Sequence, residues 1–144
     1  FIVQELAHRY VAIKYGAKAR YRAWTLGLVF AILTSFFGFV FAAPGAVYVY
    51  GKTLTREQNG KVSLAGPFSN LLLAIFFLIL GLFATGLRDV SSLGVQVNAF
   101  LGLFNLIPFH PLDGGKIYEY SKTKWALTAA ALLVMLFISP LALG

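Results

Sequence analysis

Three stretches of 20 residues pass without a single charge: Trp24 to Ala43, Phe68 to Leu87 and Trp125 to Gly144. At about 1.5 Å of rise per residue, each is long enough to cross the roughly 30 Å of hydrocarbon in a bilayer as a helix. No other feature limits the fold so tightly, because backbone polar groups in lipid must be satisfied within a helix or a closed barrel. A fourth stretch, Val90 to Leu112, is also uncharged but carries Pro108 and Pro111. Composition agrees. Of 144 residues, 59% are hydrophobic and 12% charged, with a mean hydropathy of +0.79, against about 45–50% apolar and about 25% charged in soluble domains. The expectation is an α-helical polytopic membrane protein with about four membrane-embedded helices, surrounded by lipid and forming one domain over residues 1–144. The chain opens without Met, inside an apolar helix pattern at Phe1-Ile2-Val3, which predicts at least one spanning segment upstream.

The net charge of +7 is distributed in a way that excludes nucleic acid as a partner. Lys14, Lys18, Arg20 and Arg22 form one cluster, Lys52, Arg56 and Lys61 a second, and Lys116, Lys122 and Lys124 a third. All three flank apolar segments, as the positive-inside rule requires of cytoplasmic loops. No basic face alternates with aromatics on a soluble module. The absence of cysteine removes disulfides and thiolate metal sites from consideration.

Phe1 to Tyr15 reads as a helix closed by Gly16, and a basic stretch over 16–23 follows. The apolar segment 24–43 ends at the turn signal Pro44-Gly45. Ala46-Val47-Tyr48-Val49-Tyr50 reads as a strand, and Lys61-Val62-Ser63-Leu64-Ala65 as its returning partner, so 46–65 is expected to be a β-hairpin with a long tip. Gly66-Pro67 opens a helix over 68–87. Arg88 to Ser92 reads as a polar turn and 93–107 as a helix stopped by Pro108. Asp113-Gly114-Gly115 begins a short amphipathic piece, and 125–143 is a last spanning helix.

The chemistry-bearing residues begin in the first helix. Gln4-Glu5-Leu6-Ala7-His8 is an H-E-x-x-H zinc-binding pattern with glutamine in the first histidine's place. Positions i and i+4 share a helix face, so both can reach one ion, while the adjacent glutamate polarises water. Alone, E-x-x-H is a weak signal, and in a soluble helix it is usually solvated surface. In an apolar helix a charged group is costly and functional by default. Farther on, Asn105-Leu106-Ile107-Pro108-Phe109-His110-Pro111-Leu112-Asp113-Gly114 fits N-x-x-P-x-x-x-L-D-G, and Gly66-Pro67-Phe68-Ser69-Asn70 stands at the mouth of a spanning helix.

With these three motifs in this order, the chain resembles the site-2 protease family of intramembrane zinc metalloproteases, in particular its archaeal and bacterial members. The resemblance runs from Phe1 to about Lys124. It implies that His8 and Asp113 are ligands to zinc (Zn2+), that Glu5 is the general base activating water, and that Gln4 occupies the remaining ligand position. It also implies that Asn70 and Asn105 lie near the site, able to hold a substrate backbone or a developing oxyanion; the plainer reading of both is interhelical hydrogen bonding. Asn98, seven residues before Asn105, reads as part of a packed interior face. The implied substrates are transmembrane proteins, cleaved within their helices.

Membrane parity adds a condition. His8 and Asp113 must meet at one depth, which a full span over 24–43 forbids. A re-entrant 24–43, bending near Thr34-Ser35 or Gly38, puts the three basic clusters on the cytoplasmic side with the active site and leaves Arg88 opposite. The 46–65 hairpin then lies at the membrane surface, where an edge strand can capture an unwound substrate by β-augmentation or seal the site from lipid.

Gln4 departs from the family pattern, since a neutral amide oxygen is a poorer zinc ligand than imidazole. His110, the other histidine of the chain, is the candidate substitute ligand, although three positions before Asp113 it also reads as an interfacial loop residue. Two functions follow: an intramembrane metalloprotease, or a catalytically impaired scaffold of the same fold that binds membrane helices. A transporter would need paired half-helices or a charged pathway, and neither is visible.

Overall fold

The computed structural model describes residues 1–23, 29, 32, 45–110 and 112–144. The expected re-entrant segment 24–43 lies outside the described residues but for two positions. Those described are mostly helical, with one small sheet: α1 (Ile2–Lys14), β1 (Lys18–Ala23), β2 (Gly45–Tyr50), α2 (Arg56–Phe83), a 3-10 turn (Thr85–Leu87), α3 (Arg88–Asn105), α4 (Asp113–Tyr120) and α5 (Lys122–Leu143). The other four helices all pack on α2, and the sheet packs on α1.

The α1 helix stops as its sequence predicts. Gly16 takes φ +79°; its N–H donates to the Ile13 carbonyl at 2.8 Å, and the Ala17 N–H donates to Ala12 at 3.1 Å. This is the Schellman arrangement, which needs a left-handed residue that glycine supplies without strain.

The hairpin expectation is half right. Residues 45–50 are a strand, but their antiparallel partner is β1, running from Lys18 opposite Tyr50 to Ala23 opposite Gly45. Residues 61–65 are helical. The reason lies six residues upstream, where Thr55 and Gln58 form a capping box. The Thr55 hydroxyl accepts from the Gln58 N–H at 3.2 Å and the Gln58 side chain accepts from the Thr55 N–H at 3.1 Å. With the helix nucleated there, continuing through Val62, Ser63 and Leu64 adds a hydrogen bond per residue, and weak β propensity loses. Consequently Gly66-Pro67 lies inside α2 rather than at its start. Arg88 to Ser92, expected as a turn, is the first part of α3.

Among the described residues, two helices, α2 and α5, are long and apolar enough to cross a membrane. They are dressed inside out. Only 33% and 22% of their most apolar stretches is buried within the protein, whereas the core helix of a soluble protein would be mostly covered. On α2, Phe68, Leu72, Phe76, Ile79 and Phe83 form an outward stripe at helical spacing, while Ser63, Ser69 and Asn70 point inward and are buried. The apolar core is small: Ala99, Leu106, Ile117 and Leu132 at one end, Ala74, Val95 and Leu143 at the other.

Candidate metal centre

The α1 helix lies antiparallel against α2, so that positions 8 and 4 on one helix meet positions 62, 66 and 70 on the other. His8 Nδ1 contacts the Val62 carbonyl at 2.8 Å, and Asn70 Nδ2 donates to Gln4 Oε1 at 3.1 Å. Gly66 stands between. A Cβ there would sit 2.3 Å from His8 Nε2 and 2.9 Å from Gln4 Cγ, so the glycine is what allows the two helices to close at this level. His8, Gln4 and Asn70 are all buried, Asn70 completely.

Asp113 arrives from the opposite side as the first residue of α4. The α3 helix ends at Asn105, and a turn follows in which Phe109 N–H donates to Ile107 at 2.7 Å and Leu112 N–H to Phe109 at 2.9 Å. Gly114 then rests on that turn: a Cβ on it would lie 2.2 Å from the Leu106 carbonyl oxygen and 2.4 Å from that of Ile107. Trp125 Nε1 donates to the same Leu106 carbonyl at 2.6 Å and ties α5 to the turn. The Asp113 carboxylate is thereby delivered to His8, with Oδ2 at 3.0 Å from Nε2.

A carbonyl can only accept, so His8 Nδ1 carries a proton toward Val62 and leaves Nε2 to face Asp113. An imidazole lone pair and a carboxylate facing each other at 3.0 Å need a proton or a cation between them. This is the donor pair a metal would use, with the ring oriented through its other nitrogen in the manner of ligating histidines. The spacing is also near the roughly 3.3 Å that separates two ligands on a tetrahedral zinc with bonds of about 2.0 Å. The set is incomplete in side chains of the usual kind: among the described residues, no three of His, Cys, Asp and Glu gather to hold one ion. Gln4, the position where the sequence pattern expects the third donor, lies one turn before His8 on α1, with its amide oxygen accepting from Asn70. His8 and Asp113 fit zinc as one imidazole and one carboxylate donor.

The other sequence candidates fall into three positions. Glu5 lies on α1, half-buried, one turn before His8. Asn105 Nδ2 donates to the Leu101 carbonyl at 2.9 Å and Asn98 Nδ2 to Gly94 at 2.8 Å, each bonding back along its own helix. His110 is not brought to the pair. It is exposed, and its Nε2 lies 3.1 Å from Glu119 Oε1. Sequence reasoning named Gly66 as the head of a motif but not as the point where α1 closes on α2, and it missed the Val62 carbonyl; the signal available was that 62, 66 and 70 repeat at the four-residue spacing of one helix face.

Comparison with known proteins gives the chain's family. The chain is 44% identical over 137 residues to "Putative zinc metalloprotease MJ0611" of Methanocaldococcus jannaschii, covering 92% of this chain and 72% of that protein. It is 38% identical over 139 residues to "Putative zinc metalloprotease YwhC" of Bacillus subtilis, covering 83% of this chain and 64% of the relative. It is also 30% identical over 152 residues to "Zinc metalloprotease MJ0392" of Methanocaldococcus jannaschii, of which it spans 39%. The chain belongs to this zinc metalloprotease family. No protein-family model and no solved structure matches it.

Proposed function

We propose that the chain is the membrane-embedded core of a site-2-type intramembrane metalloprotease that binds zinc at His8 and Asp113 and hydrolyses peptide bonds within transmembrane substrates. The observation that carries this reading is the 3.0 Å approach of His8 Nε2 to Asp113 Oδ2 from helices distant in sequence, inside a protein whose longest helices turn their apolar faces outward. Zinc held there would supply Lewis acidity for water and for the scissile carbonyl at neutral pH. Glu5, one turn from His8, takes the proton from the attacking water and returns it to the leaving amine as the C–N bond breaks. Asn105, at the end of α3 beside the Asp113 turn, has a second amide hydrogen for a substrate carbonyl.

A multi-pass arrangement with a cytoplasmic basic side is supported by where the cations gather. Lys52 Nζ donates to the Tyr15 carbonyl at 2.9 Å, and the Arg56 guanidinium donates to the Glu119 carbonyl. The end of α1, the start of α2 and the end of α4 therefore meet on one side, with Lys122 and Lys124 at the adjoining start of α5. Lys122 lies 5.2 Å from the Tyr118 ring centroid and Lys124 4.8 Å from that of Tyr120, the mix of cations and tyrosines that suits a membrane interface. His8 bonds α2 at Val62, six residues or about 9 Å past Arg56, a shallow depth below that side.

The test is cleavage of a fluorogenic apolar transmembrane peptide in liposomes, with products located by mass spectrometry. Cleavage inside the apolar segment, reduced about 100-fold or more in Glu5→Gln, is expected. Peptide binding without cleavage would instead favour the helix-binding scaffold, the reading that Gln4 supports.

A further inference from the structure

Gln4 and Asn70 form a buried amide pair, 66 residues apart in sequence, that the protease motifs do not account for. Asn70 is fully buried and Gln4 is 2% exposed; their contact is the 3.1 Å bond from Asn70 Nδ2 to Gln4 Oε1. The oxygen of Asn70 is buried without a hydrogen-bond partner among the described residues. Asn70 therefore accepts an incompletely satisfied position, and what it accomplishes there is to hold the Gln4 oxygen. That oxygen keeps a second lone pair. The Gln4 stem and His8 Nε2 both crowd the same point above Gly66, so the stem that carries the held amide lies beside the His8 ring.

We propose that Asn70 is a positioning residue for the Gln4 amide, fixing its oxygen as the third zinc donor beside His8 Nε2 and Asp113 Oδ2. The inference rests on the metalloprotease reading and deepens it. A free glutamine is a poor zinc ligand because its oxygen is weakly basic and its side chain has many rotamers. A hydrogen bond from a buried neighbour addresses the second fault: it confines the amide, as outer partners of metal ligands orient them. The resulting site has one imidazole and two oxygens, a harder donor set than one with two imidazoles, and discriminates less against ions such as Mn2+ that prefer oxygen.

The test is a double-mutant cycle between positions 4 and 70, read as zinc affinity by competition with a chromophoric chelator on the full chain in detergent. Asn70→Leu, close in volume and unable to donate, is made beside Asn70→Ala, each in the unaltered chain and in Gln4→His. Both are expected to weaken zinc about 10- to 100-fold in the unaltered chain and by less than about threefold in Gln4→His, whose imidazole does not need the amide bond. Normal binding by Gln4→His/Asn70→Leu also shows that the fold survives the change at 70. Equal losses in both backgrounds, or no loss in either, would overturn the positioning role. Zinc bound by Gln4→His alone would overturn the amide as a donor. Zinc bound by neither chain would overturn the metal-site reading beneath it.

Discussion

Replacing Gly66 by alanine adds one methyl group at the point where the whole site closes. The new Cβ would meet His8 Nε2 at 2.3 Å, His8 Cε1 at 2.5 Å and Gln4 Cγ at 2.9 Å, so α1 and α2 must separate by about 1 Å to restore ordinary contact near 3.5 Å. Neither side chain can simply swing away, because His8 is fixed to Val62 and Asp113, and Gln4 to Asn70. Overpacking of this kind costs about 1–3 kcal/mol, and losing the two buried interhelical bonds adds about 1 kcal/mol each. Alanine's better helix propensity returns about 1 kcal/mol. The net destabilisation is then about 2–4 kcal/mol, with zinc affinity down at least about tenfold as the donors move apart. Thermal unfolding in detergent and a zinc titration measure the two effects. Gly86→Ala is the control, since a Cβ there meets nothing within 4 Å. A Gly66→Ala protein as stable as the Gly86→Ala control, binding zinc like the unaltered chain, would refute the close-approach argument.

Gly114→Ala is expected to be harsher than Gly66→Ala, because its Cβ would strike backbone oxygens of the 106–107 turn; a loss of at least about 4 kcal/mol and of zinc binding is read by the same two assays. Thr55→Ala removes one half of the capping box that starts α2 and costs about 1 kcal/mol, seen as a lowered melting temperature with zinc affinity unchanged. His110→Ala leaves zinc affinity within about twofold, because that ring is exposed and paired with Glu119 rather than turned to the site; an affinity loss near tenfold would show that it is a ligand after all.

What could be read from the sequence was what is local or stated twice. The E-x-x-H of α1 and the Leu-Asp-Gly after Pro108 each name a donor, and the fold brings His8 and Asp113 together. The end of α1 was legible because only glycine sits easily at φ +79°. The start of α2 was not read correctly: Lys61 to Ala65 invite a strand by composition, and the signal that overrides them, Thr55 with Gln58, lies outside that window. The partner of β2 was missed for a related reason. Lys18-Ala19-Arg20-Tyr21-Arg22-Ala23 alternates with the two-residue period of a strand, yet its charges drew attention as a basic cluster. Gly66, Val62 and the Gln4–Asn70 bond depend on how α1 crosses α2, and no local pattern encodes a crossing.

The central claim is that His8 and Asp113 together hold a zinc ion. The most direct measurement is elemental mass spectrometry of the detergent-purified chain after zinc loading and desalting, beside His8→Ala and Asp113→Ala. The account predicts close to one zinc per unaltered chain and little in either variant, each still folded by its melting curve. Zinc retained in both variants, or missing from the unaltered chain, would contradict it.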